Sequence, residues 1–182
     1  MDKSLQNTVK RLDKKLVDLF EDLKDYTDSS LNKQPSEAWS VLEIMQHLML
    51  AERQSVTYIQ GKIDDGFTFD QAGMGANFRS FLLNTTLSLP FKFSAPYSMG
   101  KDAFHENTTF WEVVKEWRES RTELKSFLKN LPPEAYKQTL YKHPIGGKLT
   151  INGMLSFYEK HFDRHLKQIR KTLKIIDAVK QI

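Results

Sequence analysis

The sequence predicts an all-α protein: a four-helix bundle with a long connection, containing a short extra helix, between the second and third bundle helices. Three observations carry that prediction. Four segments place apolar residues at alternating steps of three and four, the period of a helix face packed against others. Capping residues, glycines and prolines punctuate the ends of those segments. Period-two alternation, which would mark strands, is almost absent. With 182 residues, no internal repeat and no low-complexity tract, a single domain over 1–182 is expected.

The first helix is expected over 3–27, with Leu5, Val9, Leu12, Leu16, Leu19, Leu23 and Tyr26 as its seam. Asp28, Ser29, Ser30 and Asn32 break the pattern, and Pro35 follows in the loop. Ser40 and Glu43 form a capping box that starts the second helix, with Trp39 placed as a hydrophobic staple. This helix runs to about residue 60, with Gly61 as its stop. Ile44, His47, Ala51 and Tyr58 share one stripe, widened by Val41, Leu48 and Ser55.

Residues 61–107 are less regular. GKIDDGFTFDQAGMG reads as a loop, ANFRSFLLNTTLSL (76–89) as a short helix, and PFKFSAPYSMGKDAF as extended chain. The stretch is expected to cross the bundle and wall off a pocket. The third bundle helix, 108–131, carries Phe110, Val114, Trp117, Arg121, Leu124, Leu128 and Leu131 at seam spacing, and Pro132 and Pro133 end it. YKHPIGGKLT (141–150) is a turn-rich loop. Thr150 caps the final helix, which runs to about residue 178 with Ile151, Met154, Tyr158, His161, His165, Ile169 and Ile176 on its stripe.

Composition narrows the chemistry. The chain has no cysteine, which excludes disulfides, thiolate metal sites and a cysteine nucleophile. Any metal must be held by His, Asp or Glu. Lysine and arginine total 27 against 23 acids, a mild excess of +4 spread along the chain. The densest run, Lys10, Arg11, Lys14 and Lys15 around Asp13, reads as a solvated helix face rather than a nucleic-acid patch. No apolar run approaches the length of a membrane span, and the N-terminal MDKSLQNTVKRLDKK has no hydrophobic signal core. A cytoplasmic protein without nucleic-acid or membrane partners is expected.

Two imidazoles stand where the final helix calls for Leu or Ile. Positions i and i+4 differ by about 40° around a helix, so His161 and His165 project the same way. A buried neutral imidazole needs partners for both nitrogens, and leaving one unpaired costs roughly 1–3 kcal/mol. One metal ion answers both rings, each giving one nitrogen to the ion and its other N–H to a neighbouring acceptor. The competing reading is a solvated pair at the rim. His47 also sits on an inward stripe. If the second and fourth helices run parallel, as in an up-down-up-down bundle, the three rings reach a similar depth. Three histidines with an open position is the usual catalytic zinc arrangement and also suits nickel or iron. A zincin helix would need H-E-x-x-H, but Phe162 follows His161, and a di-iron bundle would need repeated Glu-x-x-His, which is absent.

W-S-x-x-E-x-x-x-H at 39–47, H-P-x-x-G-x-L-T at 143–150 and L-x-F-x-x-x-H-x-x-x-H-x-x-Q-I at 155–169 resemble the DinB/YfiT-like superfamily in order and spacing, over nearly the whole chain. The resemblance implies a four-helix bundle, usually dimeric, with a metal held by one histidine of the second helix and two of the last. By matching motif positions these are His47, His161 and His165. It also implies the chemistries of characterised relatives: thiol-dependent S-transfer, thiol-dependent isomerisation and metal-dependent hydrolysis.

Other residues carry weaker expectations. Tyr158, one turn before His161, could donate to a metal-bound substrate or be a core tyrosine. Arg121 interrupts an apolar seam and must be paired if buried; it could clamp an anionic substrate or thiol cofactor, or form a plain ion pair at the helix rim. His143 stands at the mouth of the site by resemblance, or simply caps its loop. Glu43 is explained by its capping box, Gln168 matches the motif glutamine beside the site, and His105 is assigned no role. The expected function is a divalent-metal-dependent enzyme acting on a small electrophilic molecule, by thiol-dependent S-transfer or by hydrolysis, with a low-molecular-weight thiol as co-substrate in the first case. The alternative is a non-catalytic bundle that holds a metal or small ligand.

Overall fold

The computed structural model describes residues 3–35, 38–66, 68–73, 75, 103–143 and 147–179. Helix α1 spans Lys3–Leu23, α2 Asp28–Asn32, α3 Val41–Asp64, α4 Phe110–Asn130 and α5 Ile151–Val179. A 3-10 turn, Pro133–Lys137, and two short strands, β1 Tyr141–His143 and β2 Gly147–Leu149, link α4 to α5. The short helix expected at 76–89 lies outside the described residues.

Local chemistry accounts for most helix ends. The Ser40–Glu43 capping box starts α3 as expected. Thr109 and Glu112 form a second one at α4, where the sequence carries the same T-x-x-E spacing. Thr109→Ala is expected to destabilise the protein by about 1 kcal/mol in urea unfolding, the usual cost of losing an N-cap side chain. Thr150 caps α5 through the Gly153 N–H. Gly61 does not end α3. The helix runs one turn further, and Gly66, at φ 69°, receives the chain in the left-handed region beyond the Asp65 cap. Tyr58 is also displaced from its expected place: it is 40% exposed, and its neighbour Ile59 is buried instead. The 141–150 loop is a hairpin in which Tyr141 pairs with Leu149 and His143 with Gly147. Its three-residue strands are too short to show a clear alternation in sequence.

Cross-helix contacts give the directions. Arg11–Glu159, Lys15–Asp163 and Tyr26–Asp177 ascend together, so α1 and α5 are parallel. Asp13 meets Arg121 and Lys125 while Phe20 meets Phe110, so α1 and α4 are antiparallel. His47 meets His161 while Glu52, further along α3, meets Tyr158, so α3 and α5 are antiparallel. It follows that α3 and α4 are parallel. The order is therefore up-down-down-up, and the up-down-up-down arrangement considered above is corrected. The physical reason is the length of the α3–α4 connection. Two neighbouring parallel helices require the chain to return the length of the bundle between them.

The core forms two apolar clusters. One gathers Leu5, Val9, Leu12, Ile59, Leu124, Leu128, Met154 and Leu155. The other gathers Leu16, Leu19, Ile44, Leu48, Val114, Trp117, Phe162 and Ile169. Between them lies a polar layer with one residue from each bundle helix: Asp13, Glu52, Arg121 and Tyr158. Glu52 and Arg121 are only 4% and 3% exposed.

Candidate metal centre

His47 reaches the core from the second turn of α3, behind a capped N-terminus that fixes its depth. His161 and His165 stand one turn apart on α5. The Nε2 atoms of His47 and His165 each lie 3.1 Å from His161 Nε2. The donor atoms of all three rings fall within 4.8 Å of one another. Nitrogen ligands at about 2.0–2.1 Å around a tetrahedral ion sit about 3.3 Å apart, so the spacing suits a first-row divalent cation.

Proton bookkeeping supports the same reading. An imidazole Nε2 carries either one hydrogen or one in-plane lone pair. His161 Nε2 has two ring nitrogens at hydrogen-bond distance and can satisfy only one of them. A cation between the three would satisfy all. Burial holds His161 well below the usual imidazole range, with the neighbouring histidines adding to the effect. Burial and the proximity of His47 bring His165 down to about 3, against an upward pull from Gln168. Lone pairs are thus available at neutral pH.

The surroundings orient the rings. His165 Nδ1 is 3.0 Å from Gln168 Oε1, so the amide oxygen accepts the Nδ1–H and turns Nε2 toward the cluster. Phe157 stacks on His161 at 5.0 Å, and Trp39 packs on His47 at 5.0 Å. Trp39, expected as a staple, is therefore also part of the wall, edge-on to Phe104 at 5.4 Å. Gln46, next to His47, holds Phe104 in place indirectly. Its amide accepts the His105 backbone N–H at 2.7 Å and donates to the His105 carbonyl at 3.3 Å. His105 thus contributes main chain at the site edge while its own side chain is exposed. Phe157 stands in the motif quoted at 155–169 without a role of its own, and Gln46 was not singled out in the sequence. Phe157, four residues before His161, carried a helical-spacing signal; Gln46 carried none beyond its place beside His47.

Two of the weaker candidates, Arg121 and Tyr158, lie in the polar layer rather than among the three imidazoles. Arg121 is not at the rim and faces no open space. Its Nη2 donates to Glu52 Oε1 at 2.8 Å inside the bundle, and its Nη1 approaches Asp13 at 3.5 Å. Trp117 Nε1 donates to the other Glu52 oxygen at 3.3 Å. Burial pushes the Glu52 carboxyl up, against the pull of Arg121 and Trp117. Tyr158 is buried in the same layer and donates to the Glu52 backbone carbonyl at 3.3 Å. Glu43 is spent on its cap and on Gln34.

His143 is buried on β1 against Phe157, ring centroids 4.4 Å apart, and so lies one aromatic layer from His161. Burial lowers its pKa to about 4. Above pH 6.5 the neutral ring costs nothing on this account. As pH falls from 6.5 toward 4 the unfolded chain takes up a proton that the native state refuses, and up to about 3 kcal/mol of stability is lost. The urea midpoint is expected to fall over that window by less in His143→Gln than in the wild type. Superimposable profiles would contradict it.

The fold and the cluster define a class: helical bundles with three histidines converging from two helices. The sequence profile of the DinB superfamily matches residues 9–169, and the chain belongs to that superfamily. It is similar to YuaE of Bacillus subtilis (strain 168), an uncharacterized protein, at 22% identity over 156 residues, 85% of this chain and 90% of YuaE. Its fold is similar to that of YfiT from Bacillus subtilis, with a TM-score of 0.56 over 97% of this chain and 90% of that one at 16% identity. YfiT is described as a probable metal-dependent hydrolase with an unusual four-helix bundle topology.

Proposed function

We propose that the chain is a divalent-metal-dependent enzyme, with His47, His161 and His165 as the metal ligands and hydrolysis of a small electrophilic molecule as the favoured reaction. The observation that carries it is His161 Nε2, within 3.1 Å of two other ring nitrogens and unable to serve both without a cation. Among the described residues three side chains converge, the usual catalytic count, whereas structural zinc sites are closed by four. When bound, the cation supplies a Lewis acid with a position left for a small molecule. The chain's own residues do the rest. Gln168 orients His165, Phe157 and Trp39 exclude water from the sides of the rings, and Gln46 anchors the chain at the edge.

Hydrolysis is favoured over S-transfer by the description of YfiT. Thiol transfer is the second reading. Because the chain has no cysteine, its nucleophilic sulfur would have to arrive on a separate small molecule. The test is elemental analysis of untagged protein together with turnover of a panel of activated esters and amides before and after chelation. About one ion per chain and chelator-sensitive turnover are expected. Protein that takes up no zinc, nickel, iron or cobalt would overturn the proposal, as would hydrolysis indifferent to chelation.

A further inference from the structure

Two aromatic side chains from either side of α3 in the chain meet at the edge of the histidine cluster. Trp39 and Phe104 pack edge-on, with ring centroids 5.4 Å apart and planes at 88°. Trp39 also lies 5.0 Å from the ring of His47, so the pair begins one ring away from the donor nitrogens. Both side chains are half-buried. Phe157, stacked on His161 at 5.0 Å, lines the cluster with a third aromatic ring. The carboxylate one turn before His47, Glu43, is engaged by the Ser40 N–H and by Gln34.

Taken alone, an edge-on aromatic pair is ordinary packing. What distinguishes this one is how Phe104 is held. Gln46, only 2% exposed, gives both ends of its amide to the His105 main chain, accepting at 2.7 Å and donating at 3.3 Å. Just beyond, Asn32 Nδ2 donates to the Thr108 carbonyl at 2.9 Å, and the Phe110 N–H donates to Asp28 Oδ1 at 2.7 Å. A phenyl ring free to choose would turn fully into the core, where burial is favourable by about 25 cal/mol per Å². Here the main chain on its C-terminal side is pinned with the ring at the edge of the donor set. Small-molecule sites have this composition: aromatic and apolar walls, with a few polar groups that fix orientation.

We propose that the small molecule handled at this centre carries an aromatic group, which lies against Trp39 and Phe104 while its polar end meets the cation, and that Gln46 is the positioning residue for this wall. The proposal rests on the metal-enzyme reading above. Cobalt(II)-loaded full-length protein is titrated with acetohydroxamate and with benzohydroxamate, following the visible cobalt bands. Both present the same chelating group, so a change in their affinity ratio between wild type and variant reads the phenyl ring. The wild type is expected to favour benzohydroxamate about tenfold, and Trp39→Ala and Phe104→Ala each to cut that preference about three- to tenfold by weakening benzohydroxamate alone. Gln46→Leu, which releases the His105 main chain, is expected to cut it in the same way. Tyr58→Ala, about 16 Å further along α3 from His47, is expected to leave both affinities unchanged. A wild-type ratio near one, or an unchanged ratio in either Trp39→Ala or Phe104→Ala, overturns the aromatic wall and leaves the metal reading standing. An unchanged ratio in Gln46→Leu overturns its positioning role. A wild-type protein that develops no cobalt spectrum overturns the wall and the metal reading together.

Discussion

Alanine in place of His161 is expected to strip the protein of bound metal. His161 Nε2 is the atom shared by both close contacts of the cluster, so its loss leaves two imidazoles that no longer have a common neighbour. Removing even an outer hydrogen-bond partner of a ligand typically costs 10–100-fold in affinity, and removing a ligand outright is expected to exceed about 100-fold. Calorimetric titration with zinc or nickel checks this. Gln168→Ala, which frees His165 without deleting a donor, is expected to fall within the 10–100-fold range. The thermal signature follows from linkage. At an ion concentration about 1,000 times the dissociation constant, the wild type gains about 4 kcal/mol on metal addition, whereas His161→Ala gains almost none. A metal-free variant that still melts near the metal-free wild type separates ligand loss from misfolding. Unchanged metal content in His161→Ala would remove the basis of the enzyme reading.

The second large effect lies in the polar layer. Glu52→Ala is expected to destabilise the protein by about 3–5 kcal/mol, because it leaves the Arg121 guanidinium buried without its carboxylate. That is a large share of the 5–15 kcal/mol typical of a folded domain. Arg121 already has its Nε without a partner among the described residues, and the 3.5 Å contact to Asp13 is too long to compensate. The double variant Glu52→Leu/Arg121→Met is expected to recover most of the loss, since desolvating a buried ion pair consumes much of its attraction. Urea unfolding of the two single variants and the double closes the cycle. If Glu52→Ala costs under about 1 kcal/mol, the layer is more hydrated than its burial indicates. A substrate role for Arg121 would instead show as a large activity loss with little change in stability, which its enclosed position argues against.

The candidate site was largely legible in the chain. His161 and His165 occupy positions that the 3.6-residue period assigns to the core, and a polar residue there needs a reason. The placement of Arg121 was legible only in part. The seam spacing put it inward, but its partner Glu52 sits 69 residues away with no local signal. Gln46 was not legible, because its partner is main chain of a distant segment. The hairpin at 141–149 escaped because three-residue strands between turn residues leave too few alternating positions to register.

By itself, then, the sequence determined what depends on neighbours within one or two turns: four helices, the Ser40 cap, the seams, and which faces carry imidazoles. Tertiary structure decided what depends on partners far apart in the chain. Helix direction is the main case. Nothing local says that α3 and α4 run parallel, and the up-down-down-up order emerges only because the long connection carries the chain back along the bundle. The three histidines meet all the same, because each ring's depth is set by its own position along its helix and by the core packed beneath it.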